Sequence, residues 1–351
     1  MEYIKDILAA LSVILNGLPQ GLLALSFGFA SIPTALAFIV GAGGCLLFGC
    51  VAPISFQAET ITLAGTMGDN MRERLSMIFF GAAAMATIGV FGFLEKIVTF
   101  VGPAITNGMM AGVGIMLARV AFGMATKNKA VGFSSIASGF LTYMMTKDLV
   151  YTITVSVVLS SAVALSLKQK SDMNAVEKEG FSLQKPIMNL SVARGALAMV
   201  CLNIGANIAF GKITGNIAGS SVNVDHLAIY SSLADMASSL FGGGPVEAII
   251  SATGSAPHPV FSGVLMMTLM AVILFAGFLP KIGKYVPSES IAGFLFVLGA
   301  IVTVPINASA ALGGGDTIVG GVTMTVTAIS DPFLGMMAGL IVKCISPLVG
   351  F

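Results

Sequence analysis

Apolar runs of some 15 to 25 residues, separated by short polar breaks, fill almost the whole chain, and only one stretch, Lys168 to Lys185, is long and hydrophilic. Helices of roughly 17 to 25 apolar residues match the hydrocarbon core of a bilayer. Reading the polar breaks as boundaries predicts about fourteen membrane segments. They lie near residues 6–30, 33–49, 53–67, 75–93, 103–124, 130–146 and 148–167, then 188–210, 227–241, 245–256, 260–279, 288–304, 309–328 and 332–350. The third and tenth are short and open on Pro53 and on Gly242-Gly-Gly-Pro245. A break exposed to lipid leaves backbone N–H and C=O groups unpaired, so it survives at membrane depth only where protein or a watery cavity surrounds it. Both breaks are therefore expected at a site.

The two sets of seven are related. Gly92-Phe-Leu-Glu-Lys-Ile-Val-Thr-Phe-Val101 matches Gly277-Phe-Leu-Pro-Lys-Ile-Gly-Lys-Tyr-Val286 at an offset of 185 positions, which also aligns Gly108 with Gly293 and Gly114 with Gly299. At a slightly different offset Leu47-Phe48-Gly49 answers Leu240-Phe241-Gly242. Such strings point to an internal duplication. With an odd number of spans per copy, the second copy enters the membrane upside down, the plan in which paired broken helices hold a midplane site.

The candidate site residues come from these breaks and their neighbours. Ser55, Phe56, Gln57 and Glu59 follow Pro53, while Glu247 and Ser251 follow Pro245. If both segments are half-helices, Glu247 and Ser251 share a face, and each N-terminus presents about half a positive charge to an anion or a polar ligand edge. Either acid can instead cap its own helix or bond a neighbour. Asn203 and Asn207 lie one helical turn apart and read as substrate ligands or as interhelical hydrogen-bonding groups. Asp235 reads either as a group that holds a coupling ion or as a partner for backbone donors of the adjacent break. Glu59, Asp235 and Glu247 are thus the coupling-ion candidates.

Composition narrows the function classes. The 351 residues are 56% hydrophobic and 9% charged, whereas soluble domains carry about a quarter charged residues. A net charge of +1 without a basic face excludes a nucleic-acid partner. Cys45, Cys50, Cys201 and Cys344 sit in apolar runs without metal-site spacing, and no cofactor or metal motif occurs. The N-terminal Met-Glu-Tyr-Ile-Lys-Asp lacks the basic start of a signal peptide. Gly313-Gly-Gly-Asp316 fits the GxGD pattern of intramembrane aspartyl proteases, but that chemistry needs a second carboxylate and no Tyr-Asp partner motif is present. His258, between two prolines, reads as a surface-turn residue. Arg72, Arg74, Lys127, Lys129, the hydrophilic linker, Lys281 and Lys284 fall on one face, which the positive-inside rule makes cytoplasmic and which leaves both termini outside.

Leu233-Ala-Asp-Met-Ala-Ser-Ser-Leu-Phe-Gly-Gly-Gly-Pro245, with Ser251-Ala-Thr-Gly254 after it, resembles the nucleobase-ascorbate transporter family, the nucleobase-cation symporter-2 group. Gly102-Pro-Ala-Ile-Thr-Asn-Gly108 ahead of Val113-Gly-Ile-Met-Leu117 is similar to that family's fifth span. The resemblance implies an all-α polytopic fold of fourteen segments in two inverted repeats, with short strands before the half-helices of segments three and ten. It also implies a core domain (1–94 and 188–279), a gate domain (95–167 and 280–351) and a linker at 168–187. The implied activity is proton- or sodium-coupled symport of a purine or pyrimidine across the plasma or inner membrane by a homodimer with its termini inside. The sequence departs from the family pattern: the acid of segment ten is Glu247, one turn early, and the eighth span carries asparagines where the family has a carboxylate. An organic or inorganic anion on the same fold is the alternative substrate.

Overall fold

The computed structural model describes residues 1–169 and 180–349, so half of the predicted linker, residues 170–179, lies outside the described residues. Fifteen α-helices, some interrupted by π turns, and two short strands make up the described fold. In the first half these are α1 (Glu2–Ser26), α2 (Ser31–Phe48), β1 (Ile54–Ser55), α3 (Ala58–Thr66), α4 (Met71–Val90), α5 (Leu94–Val101), α6 (Pro103–Lys127), α7 (Lys129–Thr146) and α8 (Leu149–Ser166). The second half holds α9 (Leu190–Ile217), α10 (Val224–Ser239), β2 (Glu247–Ala248), α11 (Pro259–Phe275), α12 (Phe278–Gly283), α13 (Ser288–Leu312), α14 (Thr317–Ile329) and α15 (Pro332–Val349). Among the described residues seven helices have the length and apolar character of a membrane crossing, and thirteen of the fourteen predicted segments are helical, the tenth being a short strand and a turn. The chain is a multi-pass membrane protein.

The repeat is visible in backbone geometry as well as in letters. Gly49 (φ 60°) and Gly242 (φ 97°) take the left-handed conformation after α2 and α10, and Gly92 (φ 67°) and Gly277 (φ 64°) do so before α5 and α12. Glycine adopts this region without the steric cost of a Cβ. The two strands pair antiparallel, Ile54 with Ala248 and Ser55 with Glu247. At the offset that matches Gly49 to Gly242, Ile54 corresponds to Glu247 and Ser55 to Ala248, so the small ladder sits on the axis that relates the halves.

The same axis passes between α6 and α13. Gly114 and Gly299, matched by the repeat, each face the other's carbonyl oxygen. Gly108 packs on the Gly320 carbonyl of α14, and its mate Gly293 packs on the Ser135 carbonyl of α7. Residues 135 and 320 are themselves 185 apart, so one contact is made twice. Small residues allow such backbone approach inside a membrane, where packing rather than water expulsion joins helices.

Two groups of helices result. In the first, α2 and α11 pack on each other, α10 packs on α2 and α4, and α4 packs on α9. In the second, α6 packs on α13 and α14, α7 on α8, and α14 on α15. On one membrane face Arg194 of α9 pairs with the buried Asp331 at 2.6 Å, and Asp331 also caps α15 by accepting from Leu334 N at 2.9 Å. On the other face the Asp6 carboxylate accepts from His258 N and faces His258 Nδ1, both at 2.9 Å, joining α1 to α11.

Candidate functional site

From Val51 the chain runs extended through Pro53 and β1 into Gln57, which N-caps α3 with extended backbone (φ −131°, ψ 121°). The nine residues of α3 form the first half-helix, and Glu59 stands in its first turn. The second break is built differently. Glu247 lies in β2, and the chain then stays irregular until a 3₁₀ turn at Ala252–Ser255. The predicted half-helix after Pro245 is therefore absent, and Glu247 and Ser251 do not share a helical face. Pro257 explains the difference, because the residue before a proline is driven out of the α region, leaving too few residues for a helix.

The candidate residues separate into three places. Gln57 and Glu59 line a cavity of about 120 Å³ together with Asn16 and Gln20 of α1, Phe210 of α9 and Phe294 of α13. This cavity lies between the two helix groups, with Leu149 at the start of α8 on its wall. Glu59 is its only ionisable lining residue, and the Glu59 carboxylate has its own backbone amide as hydrogen-bond partner. Gln20 Oε1 accepts from Ala58 N at 2.8 Å, taking the first amide of α3. Asn16 lines the cavity, and its Oδ1 is buried with no partner.

Asn203, Asn207 and Glu247 line a second, much smaller void of about 10 Å³ inside the first helix group, with Ser231 of α10. A space of this size holds one water at most. Residues Asn203–Asn207 form a π turn within α9, so the two asparagines are not on regular α spacing. Asn207 Nδ2 donates to Asn203 Oδ1 at 2.5 Å, and Gln57 Nε2 donates to Asn207 Oδ1 at 2.9 Å and to Ala248 O at 3.2 Å. Glu247 bonds Asn203, Ser231 and Asp235. Asp235 in turn accepts from Val246 N at 2.7 Å, the backbone-pairing role weighed for it. Two carboxyl groups hydrogen-bond one another only when one of them carries a proton. A continuous polar line thus runs from the cavity through Gln57, Asn207 and Asn203 to the Glu247–Asp235 pair.

The remaining candidates line neither space. Phe56 packs edge-on against Phe38, ring centroids 5.3 Å apart, as core. Ser55 is buried in β1, and its hydroxyl has no partner. Ser251 Oγ caps the 3₁₀ turn by accepting from Thr253 N at 3.2 Å. Asp316 is exposed in the connection ahead of α14. Asn16 and Gln20 are cavity residues that the break-centred reading passed over. Their signal was the same one that marked the asparagine pair, two amides four apart in an apolar run.

No family model matches the chain, and no curated protein does. Solved structures do match. The transmembrane domain of a cyanobacterium bicarbonate transporter, BicA, superposes with a TM-score of 0.64 at 14% identity, covering 97% of this chain and 98% of that one. The murine Slc26a9 anion transporter in the inward-facing state gives 0.70 at 14%, covering 99% of this chain and 68% of the other. A second SLC26A9 structure gives 0.68 at 13%, covering 99% and 66%. The chain shares their fold. At this identity the likeness speaks for the architecture, two inverted repeats with paired breaks, and it leaves the nucleobase-ascorbate family itself unconfirmed.

Proposed function

We propose that the protein is a secondary transporter of a small anion, coupled to a proton or sodium ion. The carrying observation is the cavity between the two helix groups, lined by Gln57, Glu59, Asn16 and Gln20, in a fold shared with a bicarbonate transporter and an anion transporter. Helix N-termini and amide N–H groups stabilise negative charge. The first turn of α3 and the Asn16 and Gln20 amides supply both, while Gln57 Nε2 is spent on Asn207 and Ala248. Glu59 stands in the same turn, so an anion meets a like charge unless a proton or cation neutralises it first. That requirement couples the two fluxes. In this reading the first helix group (1–94 and 188–279) moves against the second (95–167 and 280–351), and the Glu247–Asp235 pair is a second proton-holding group within the moving part.

The test is uptake into vesicles of the reconstituted protein, using labelled bicarbonate, sulfate, chloride and small carboxylates with and without proton or sodium gradients. Anion uptake that rises with an inward gradient is expected, and Glu59→Gln should retain anion exchange while losing the gradient dependence. Gradient dependence unchanged in Glu59→Gln removes the coupling assignment. A nucleobase is the second reading, favoured by the Phe210 and Phe294 rings beside amides able to read a base edge. Competition by purines or pyrimidines, with none by anions, selects it.

A further inference from the structure

The lipid-facing side of α7 and α8 carries a groove of about 590 Å³, whose walls include Ser134, Ser138 and Leu141 of α7 and Leu159, Ala162 and Ser166 of α8. Its surface is almost wholly apolar. Ser134, Ser138 and Ser166 return their hydroxyls to carbonyls one turn back in their own helices, Val131, Ser134 and Val163, so no donor is left for a polar guest. From Leu159 to Ser166 the groove follows α8 for roughly 10 Å at 1.5 Å per residue. That is most of one leaflet, about half of a 30 Å hydrocarbon core.

One end of the groove reaches the membrane face that holds the α6–α7 turn and the end of α8. There Asn128 Nδ2 donates to Gln169 Oε1, which draws that turn and the end of α8 together. Lys127 and Lys129 flank Asn128, and Lys168, in the left-handed region at φ 53°, precedes Gln169. Three exposed lysines therefore gather around one hydrogen bond at the groove mouth, and none has an acidic partner among the described residues. Lys129 stands five residues, some 7 Å, before the apolar lining begins at Ser134, and Lys168 stands two residues beyond its other end at Ser166, at the depth of a phosphate.

We propose that this groove is a binding site for an anionic phospholipid, with one acyl chain between α7 and α8 and the headgroup phosphate on Lys127, Lys129 and Lys168. An apolar slot of about 10 Å takes part of a lipid tail, and a positive rim without an acidic partner among the described residues selects a charged head. Basic residues at this depth attract anionic lipids. The site lies on helices of the second group, outside both the cavity and the small void, and does not depend on which substrate the cavity carries.

Native mass spectrometry of the full chain, released from micelles holding equal phosphatidylglycerol and phosphatidylcholine, tests it. At least tenfold preferential retention of phosphatidylglycerol is expected, weakening about fivefold for each lysine removed and vanishing in Lys127→Gln/Lys129→Gln/Lys168→Gln. Ala162→Phe, which fills the groove and leaves the lysines, should lower retention of both lipids. Leu141→Ala, which strips a wall without adding bulk, gives the same reading if the phenyl ring disturbs the pairing of α7 and α8. Equal retention of the two lipids by the unaltered protein overturns the proposal, as does an unchanged preference in the lysine variant. If neither groove variant changes retention, the lysines act as a charged surface and the groove assignment falls.

Discussion

The two halves solve the same problem, a backbone break at membrane depth, with different parts. In the first half Pro53 leads through β1 into a full nine-residue half-helix, and Glu59 in its first turn faces the cavity. In the second half β2 leads only to a 3₁₀ turn, and Glu247 turns away from the cavity toward Asp235. At the offset that aligns the strands, Glu247 corresponds to Ile54 and Glu59 to Ala252. Each half therefore carries its acid where the other has an apolar residue. The lesson is a division of labour: one break supplies the cavity-facing helix end, and the other supplies a buried carboxyl pair and backbone pairing that hold it.

That comparison can be broken at the second acid. Glu247→Ala leaves Asn203, Ser231 and Asp235 without their shared partner, and unsatisfied buried groups cost about 1–3 kcal/mol each. A loss of about 3 kcal/mol is expected, read as a fall in the thermal midpoint of the purified protein. Symmetry predicts the opposite pattern at the axis. Gly114→Ala and Gly299→Ala each push a methyl toward the other's carbonyl, at 3.0 Å and 2.5 Å, so both should cost about 2 kcal/mol, Gly299→Ala the more. Gly43→Ala, with open space around it, should be neutral or stabilising in the same assay.

Smaller effects sharpen the picture. Ser251→Ala removes the cap of the 3₁₀ turn and should cost about 1 kcal/mol, with little change in substrate affinity if Ser251 is structural. Asn16→Ala should do the reverse. Its Oδ1 has no partner to lose, so stability should move by under about 0.5 kcal/mol, while ligand affinity in a binding titration falls about fivefold for the one hydrogen bond lost.

The fold was legible because a crossing helix is apolar on the side that meets lipid and on the side that packs on its neighbours, so the length of an apolar run is enough to find it. The α5 and α12 helices escaped that test although their residues make the strongest repeat match. At eight and six residues they are too short to register as runs. Pro245 marked the second break correctly, but the strand-then-turn path after it depends on Pro257, twelve residues on, and on pairing with Ile54 far away in sequence. In the site, Gln57 and Glu59 were found because they sit beside a break. The separation of Glu247, Asn203 and Asn207 into an inner void was not legible, since a π turn and a strand register decide where those side chains point.

The meeting of Gly114 and Gly299 speaks about descent. Repeat mates that touch one another at a symmetry axis are, in an ancestor with one copy, the same residue touching itself across two molecules. A seven-span forebear inserted both ways up would have formed that contact as an antiparallel pair before any fusion. In such a pair one substitution at the axis alters both sides of the contact at once, whereas each acid, off the axis, answers to its own half alone.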